Sequence, residues 1–204
     1  MQQRFKGQVL TQRKCVSNIL KVYRSSSSFA DSNWYWEANS YARNLATTFK
    51  VPLSVACGVI ASLSPLKSWD ENKLIAYSFL KNGQGKHTSF FVDKAQRIKD
   101  SNAEVEEICL ILGGNKIISF FINLLEPDQT NFVTIDRHAL SIAVGRNLVE
   151  TEQRGLTSKQ YDFFVDAYTK AGLKVGISPV LMQSITWQGW RENKKVEKNS
   201  DVPF

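Results

Sequence analysis

Asp136 and Lys116 are the residues of this chain whose types and spacing could carry chemistry. They lie twenty positions apart, the lysine directly after a Gly113-Gly114-Asn115 turn and the aspartate inside Phe132-Val133-Thr134-Ile135-Asp136-Arg137-His138. A carboxylate can stabilise a developing positive charge or activate a water molecule, and an amine can attack an electrophilic carbon and form a Schiff base. A short apolar run delivers Asp136, and the apolar-periodic segment Ala139-Leu140-x-Ile142-Ala143 follows at once. That order places Asp136 at a helix N-terminus, where backbone N–H groups and the macrodipole favour an anion. A plain N-cap aspartate is the alternative role for the same position. Lys116 has its own alternative, a surface lysine beside a phosphate.

The elements that must position these groups read as helices joined by short turns. Apolar spacing predicts helices over 9–23 and 33–49, the second rich in aromatic residues. Pro52 opens a helix over 53–63 that is apolar on nearly every side and should be the buried central one. The Ser64-Pro65-Leu66-Lys67 loop follows, then a capping box, Ser68-Trp69-Asp70-Glu71, starts a helix to about 80. Helices are expected near 88–99, 103–112 and 115–125, with a loop over 126–134 that ends extended. Thr157 and Gln160 cap another through about 171, and Ser178-Pro179 opens the last, through about 194. No alternating strand series and no repeat is present, so the expected fold is all-α. Residues 1–194 are expected to form one helical domain of lobes sharing a central cleft, with 195–204 a flexible tail.

The order of helix, Gly-Gly turn, helix, loop and aspartate resembles the helix-hairpin-helix DNA glycosylase superfamily. The hairpin of that family ends in glycine, any residue, lysine, and Gly114-Asn115-Lys116 stands in that place. Its catalytic aspartate follows in a valine-aspartate-x-histidine context, which Ile135-Asp136-Arg137-His138 matches. Upstream, Ala61-Ser62-Leu63-Ser64 and then Asn72-Lys73 look like the family's serine-containing turn and asparagine-lysine helix. The likeness covers about residues 53 to 145. The usual hairpin separates its two glycines by one residue, whereas Gly113 and Gly114 are adjacent and Leu112 holds the first motif position.

The resemblance implies an enzyme that cleaves the N-glycosidic bond of a damaged or modified base extruded from double-stranded DNA. Asp136 would be the essential carboxylate, and Lys116 a nucleophile at C1′ giving lyase activity. Gly113, Gly114, Asn115, Arg137, His138 and Lys67 would contact DNA. Ser64, Trp69, Asn72, Trp187 and Trp190 would form a base pocket or wedge, the last two lying beside Gln183 and Arg191. Core packing is the alternative for the tryptophans, and a structural histidine the alternative for His138. No four-cysteine motif follows Asp136, so the family's iron–sulfur cluster is not expected, nor any other cofactor or metal. A same-fold enzyme that modifies pyrimidines of phage-type DNA is one rival reading. A non-catalytic DNA-binding helical protein is the other.

Composition bounds these readings. The 204 residues hold 26 Lys and Arg against 19 Asp and Glu, a net charge of +7. Arg4, Lys6, Arg13, Lys14, Lys21 and Arg24 occupy the first 24 residues with no acid among them. Such an excess favours a polyanionic partner, here DNA. No apolar run reaches the roughly 18 to 20 residues of a membrane span, and no secretory signal pattern opens the chain. Cys15, Cys57 and Cys109 read as buried free thiols of a reducing compartment. The expectation is a monomer in the cytoplasm of a bacterial or phage-infected cell.

Overall fold

The computed structural model describes residues 2–26, 34–128, 132–153 and 155–200, with side chains through 193. Among them are two short strands, β1 (Gln2–Phe5) and β2 (Gln8–Thr11), and ten α-helices. These are α1 (Gln12–Ser25), α2 (Trp34–Phe49), α3 (Leu53–Ser62), α4 (Trp69–Asn82), α5 (Ser89–Lys99), α6 (Val105–Leu112), α7 (Asn115–Leu125), α8 (Arg137–Val144), α9 (Ser158–Val175) and α10 (Pro179–Ser200). One 3-10 turn, Glu150–Glu152, joins α8 to α9. The fold is all-α apart from the hairpin. The chain divides into two compact units, one of Met1–Asn33 with Thr130–Phe204, the other Trp34–Gln129.

The first unit begins where the sequence reading needs correction. Val9 and Leu10 belong to β2, not to a helix from residue 9. Lys6 (φ 44) and Gly7 (φ 82) are both left-handed, so a two-residue turn closes the hairpin with Phe5 opposite Gln8 and Gln2 opposite Thr11. That backbone is the one whose twist matches paired strands. Leu10 is buried and Val9 faces out, a period of two that short windows confuse with helical spacing. Thr11 then caps α1, its hydroxyl accepting from Lys14 N at 3.1 Å. Cys15, Val16, Ile19 and Leu20 of α1 join a core with Phe5, Leu140, Phe164, Tyr168 and Met182, where α1 packs on α8, α9 and α10.

In the second unit α3 is the centre. Every residue from Val55 to Ser62 is buried, and α2, α5, α6 and α7 pack around it. Gly58 permits that approach, because a Cβ there would lie 2.9 Å from Ile98 Cγ2 and 3.0 Å from Ile108 Cγ2. Asn39 of α2 binds the C-terminal end of α7, donating to the carbonyls of Leu124 (2.6 Å) and Leu125 (3.1 Å). The capping box of Ser68 and Glu71 forms as expected, and Gly83 ends α4 in the left-handed region. α6 starts at Val105, two residues later than expected, since Ala103 sits at φ 66. No single helix among the described residues is long and apolar enough to cross a membrane.

At the other end, α9 carries its capping box of Thr157 and Gln160 and runs to Val175, past the expected residue 171. α10 reaches Ser200, six residues beyond the expected 194. Of the expected tail, 201–204 and the side chains of 195–200 lie outside the described residues. Cys15, Cys57 and Cys109 are free thiols; the first two are buried, and burial pushes them up to about 11 and about 12, while Cys109 is half-buried.

The crossing of α1 and α10 sets a sharp steric condition. A Cβ on Gly189 would lie 2.5 Å from Ser26 Cβ and closer still to the Ser26 hydroxyl, which donates to Val22 O at 2.7 Å. Gly189→Ala should therefore cost about 2 kcal/mol by overpacking, read from urea unfolding. Adding Ser26→Gly should recover part of the loss, whereas unchanged stability in the single variant would refute this crossing.

Candidate active site

Asp136 is placed by what precedes it. Val133, Thr134 and Ile135 are buried, and the Tyr161 hydroxyl clamps them by donating to Val133 O (2.7 Å) and accepting from Ile135 N (3.1 Å). Asp136 N donates to Thr134 O at 3.0 Å, which turns the chain into α8. The residue is the extended N-cap of α8, with φ −87 and ψ −177. Its Oδ1 accepts from His138 N (2.9 Å) and Ala139 N (2.8 Å). Its Oδ2 accepts from Trp187 Nε1 of α10 at 2.9 Å. All three partners are N–H donors, matched to a carboxylate that can only accept.

The surroundings hold that arrangement in place. The guanidinium carbon of Arg191 lies 4.4 Å from the Trp187 ring centre, and the His138 ring meets the same indole edge-on at 6.3 Å. Arg137 Nε approaches His138 Nε2 at 3.4 Å. Tyr168, wholly buried, donates to Ala139 O at 3.0 Å and fixes the first turn of α8 from below. Burial raises the Tyr168 pKa, with the Asp136 charge adding and the Thr186 hydrogen bond opposing, so the hydroxyl remains a neutral donor. Asp136 and His138 themselves are half-buried, open to solvent on one side.

The lysine and the glycines belong to the second unit. Gly113 (φ 59) and Gly114 (φ 80) are exposed and left of the region that other residues adopt without strain. Helix α7 starts without a side-chain cap and without an acid in its first turn. Gly114 O accepts from Ile117 N (3.1 Å) and Ile118 N (3.2 Å). Asn115 and Lys116 are exposed. The burial that a nucleophilic amine requires is therefore not supplied around Lys116 by its own unit. Lys94 of α5, which sequence reasoning passed over, donates to Leu112 O and so ends α6 at the turn, with burial and Arg97 lowering its pKa.

A second surface turn joins α3 to α4. Lys67 N donates to Ser64 O at 3.2 Å, Ser64 Oγ donates to Ala61 O at 2.9 Å, and a His87 ring nitrogen meets Pro65 O at 2.9 Å. Leu66 occupies the third position of that turn at φ 64 and is 84% exposed. Glycine is the usual residue there after proline. Trp69, expected as wedge or pocket, packs against Trp34 (5.2 Å) and Tyr41 (6.0 Å) with Lys73 over its ring. Asn72 is buried and ties α4 to α3 by donating to Ile60 O at 3.1 Å. Trp190 packs half-buried against the first unit's core.

Asp136, Arg137, His138 and Trp187 are thus brought together. Gly113 and Gly114 form a turn that leads into Asn115 and Lys116 at the start of α7, and Ser64 with Lys67 lie in another turn. Sequence reading missed Tyr161, Lys94 and Leu66. Only Leu66 carried a local signal, a Pro-Leu pair where Pro-Gly is usual. Among the described residues no group of three His, Cys, Asp or Glu could hold a metal ion. A family model described as a family of unknown function, DUF7178, matches residues 1–194. No curated protein and no solved structure matches the chain.

Trp187→Phe keeps an aromatic side chain, shrinks the ring and removes one hydrogen bond to a charged acceptor, whose loss should cost about 1.5 to 3 kcal/mol by denaturant unfolding. The cost should be smaller, by the hydrogen-bond part, when Asp136 is already alanine. Equal costs in both backgrounds would show that the indole–carboxylate bond contributes nothing.

Proposed function

We propose that this chain, which belongs to the DUF7178 family, is a helix-hairpin-helix DNA glycosylase-like enzyme that removes a damaged or modified base from double-stranded DNA. The observation that carries the reading is the second oxygen of Asp136. Capping α8 needs one carboxylate oxygen, and Oδ1 alone takes both backbone N–H groups. Oδ2 is held separately by Trp187 Nε1, from a residue 51 positions away on another helix. A carboxylate oriented from two sides and half open to solvent suits a reaction that builds positive charge beside it.

In that reaction the N-glycosidic bond breaks and its electron pair leaves with the base. Positive charge grows on the sugar at C1′, and Asp136 stabilises it. Water then adds to C1′ and its proton passes to Asp136 or to the departing base. Arg137 and His138, beside the carboxylate, are the groups available to a flanking phosphate. On the other unit, Gly113 N donates to Cys109 O. The backbone N–H groups offered to a phosphate are those at the start of α7 after Gly114, a contact without base recognition. Leu66 is an exposed apolar side chain on a left-handed backbone, suited to enter a base stack, whereas Trp69 is engaged within its own unit. Lys116 is exposed, which favours water over an amine as nucleophile.

Duplexes carrying a panel of damaged and modified bases, treated with alkali and run on a gel, test the reading. Strand breaks should appear with wild type, and Asp136→Asn should lower their rate by on the order of 10² to 10³. Borohydride should trap no protein–DNA adduct. Turnover that survives Asp136→Asn would remove the carboxylate from the mechanism, and a changed but retained base would make the chain a base-modifying enzyme. An adduct lost in Lys116→Gln would restore the lysine as nucleophile.

A further inference from the structure

Helix α1 opens on two adjacent cations, Arg13 and Lys14. Four helices begin with a hydroxyl cap that accepts from the third residue of the helix: Ser68 for α4, Thr157 for α9, Ser178 for α10 and Thr11 for α1. In α4 the third residue is Glu71 and in α9 it is Gln160, each reaching back to complete a capping box. In α1 it is Lys14, preceded by Arg13, and no acid stands in the first turn. Two cations therefore sit at the positive end of a helix dipole, where acids belong.

The remaining cations extend the same face. Arg13, Lys14, Ser17, Lys21 and Arg24 recur at helical spacing and are all exposed, opposite the buried Gln12, Cys15, Val16, Ile19 and Leu20. Helix α1 contains no acidic residue at all. Lys21 and Arg24 are like charges at i,i+3, a repulsion set against the favourable place of Arg24 in the last turn. On α9, which packs against α1, Asp166 is paired with Lys170. Local charge choices that oppose folding mark a surface shaped by something other than folding.

We propose that this stripe of α1 is a contact surface for the sugar–phosphate backbone of duplex DNA, an assignment that rests on DNA being the substrate. From Arg13 to Arg24 the helix rises about 16 Å, comparable to roughly five base-pair steps along the duplex axis at about 3.4 Å each. An anionic membrane fits less well. A surface-lying helix needs a free apolar face, and the apolar face of α1 is spent in the core. The contact positions the duplex without reading its sequence.

Fluorescence anisotropy with an undamaged duplex, titrated across salt concentrations, tests the surface. Replacing Arg13, Lys14, Lys21 and Arg24 together by Gln should weaken binding at least tenfold near 0.1 M salt. The slope of log K against log salt should fall by about 0.9 for each lost phosphate contact. A control with Lys50, Lys81, Lys86 and Lys174 replaced by Gln carries the same net charge and should bind far more tightly than the stripe variant. Unfolding midpoints should show the stripe variant at least as stable as wild type. Equal weakening in the control, unchanged binding in the stripe variant, or stripe-dependent binding to phosphatidylserine vesicles in place of DNA would overturn the proposal. Loss of DNA binding in the stripe variant with no base excision by wild type would retain the surface and reject the glycosylase reading.

Discussion

Three N–H groups converge on one carboxylate, and the order of the surrounding helices follows from that convergence. The backbone donors of His138 and Ala139 reach Asp136 Oδ1 only if α8 starts where it does. That start depends on the Tyr161 hydroxyl holding Val133 and Ile135 in an extended run, and on Tyr168 holding Ala139. The indole of Trp187 reaches Oδ2 only if α10 lies against α8. At its far end α8 is tied to α1 by Asn18, whose amide donates to Ala143 O at 2.9 Å beside a left-handed Gly145. The polar bonds at both ends of α8 thus specify one register for an apolar helix that the core alone could accept in several.

Several exposed positions depart from ordinary backbone, capping or charge preference. Leu66 takes a left-handed backbone with its side chain in solvent, and Gly113 and Gly114 open α7 without a side-chain cap. Lys14 stands where a capping acid or amide would complete a box. None of these improves packing, since all are exposed. A left-handed leucine and adverse charge of this kind cost the fold stability. The buried polar residues behave differently: Asn39 and Asn72 donate to helix-end carbonyls and serve the fold.

Local chemistry was legible in the sequence, and contacts between distant residues were not. The capping boxes at Ser68 and Thr157 and the cap at Asp136 follow from residue type and spacing within four positions, and all three form. The all-apolar stretch after Pro52 marked the buried α3 for the same reason. The hairpin escaped notice because a Lys6-Gly7 pair is a weak turn signal and Val9-Leu10 fits either period. The bond from Trp187 to Asp136 and the clamp from Tyr161 join residues 51 and 26 positions apart, beyond the reach of any local pattern. Lys116 was singled out by its place after the glycines, and the burial a reactive amine needs is not legible in sequence; its side chain is exposed.

The central claim is that Asp136 recognises positive charge on a sugar, and it can be measured without knowing the base. Two duplexes would be compared, one with a cationic pyrrolidine at the abasic position and one with the neutral tetrahydrofuran of the same shape. Wild type should bind the cationic duplex at least tenfold more tightly, a difference of about 1.4 kcal/mol, and Asp136→Asn should bind the two alike. Equal affinity in the wild-type protein, or a preference that survives the substitution, would contradict the claim and leave Asp136 as the cap of a helix.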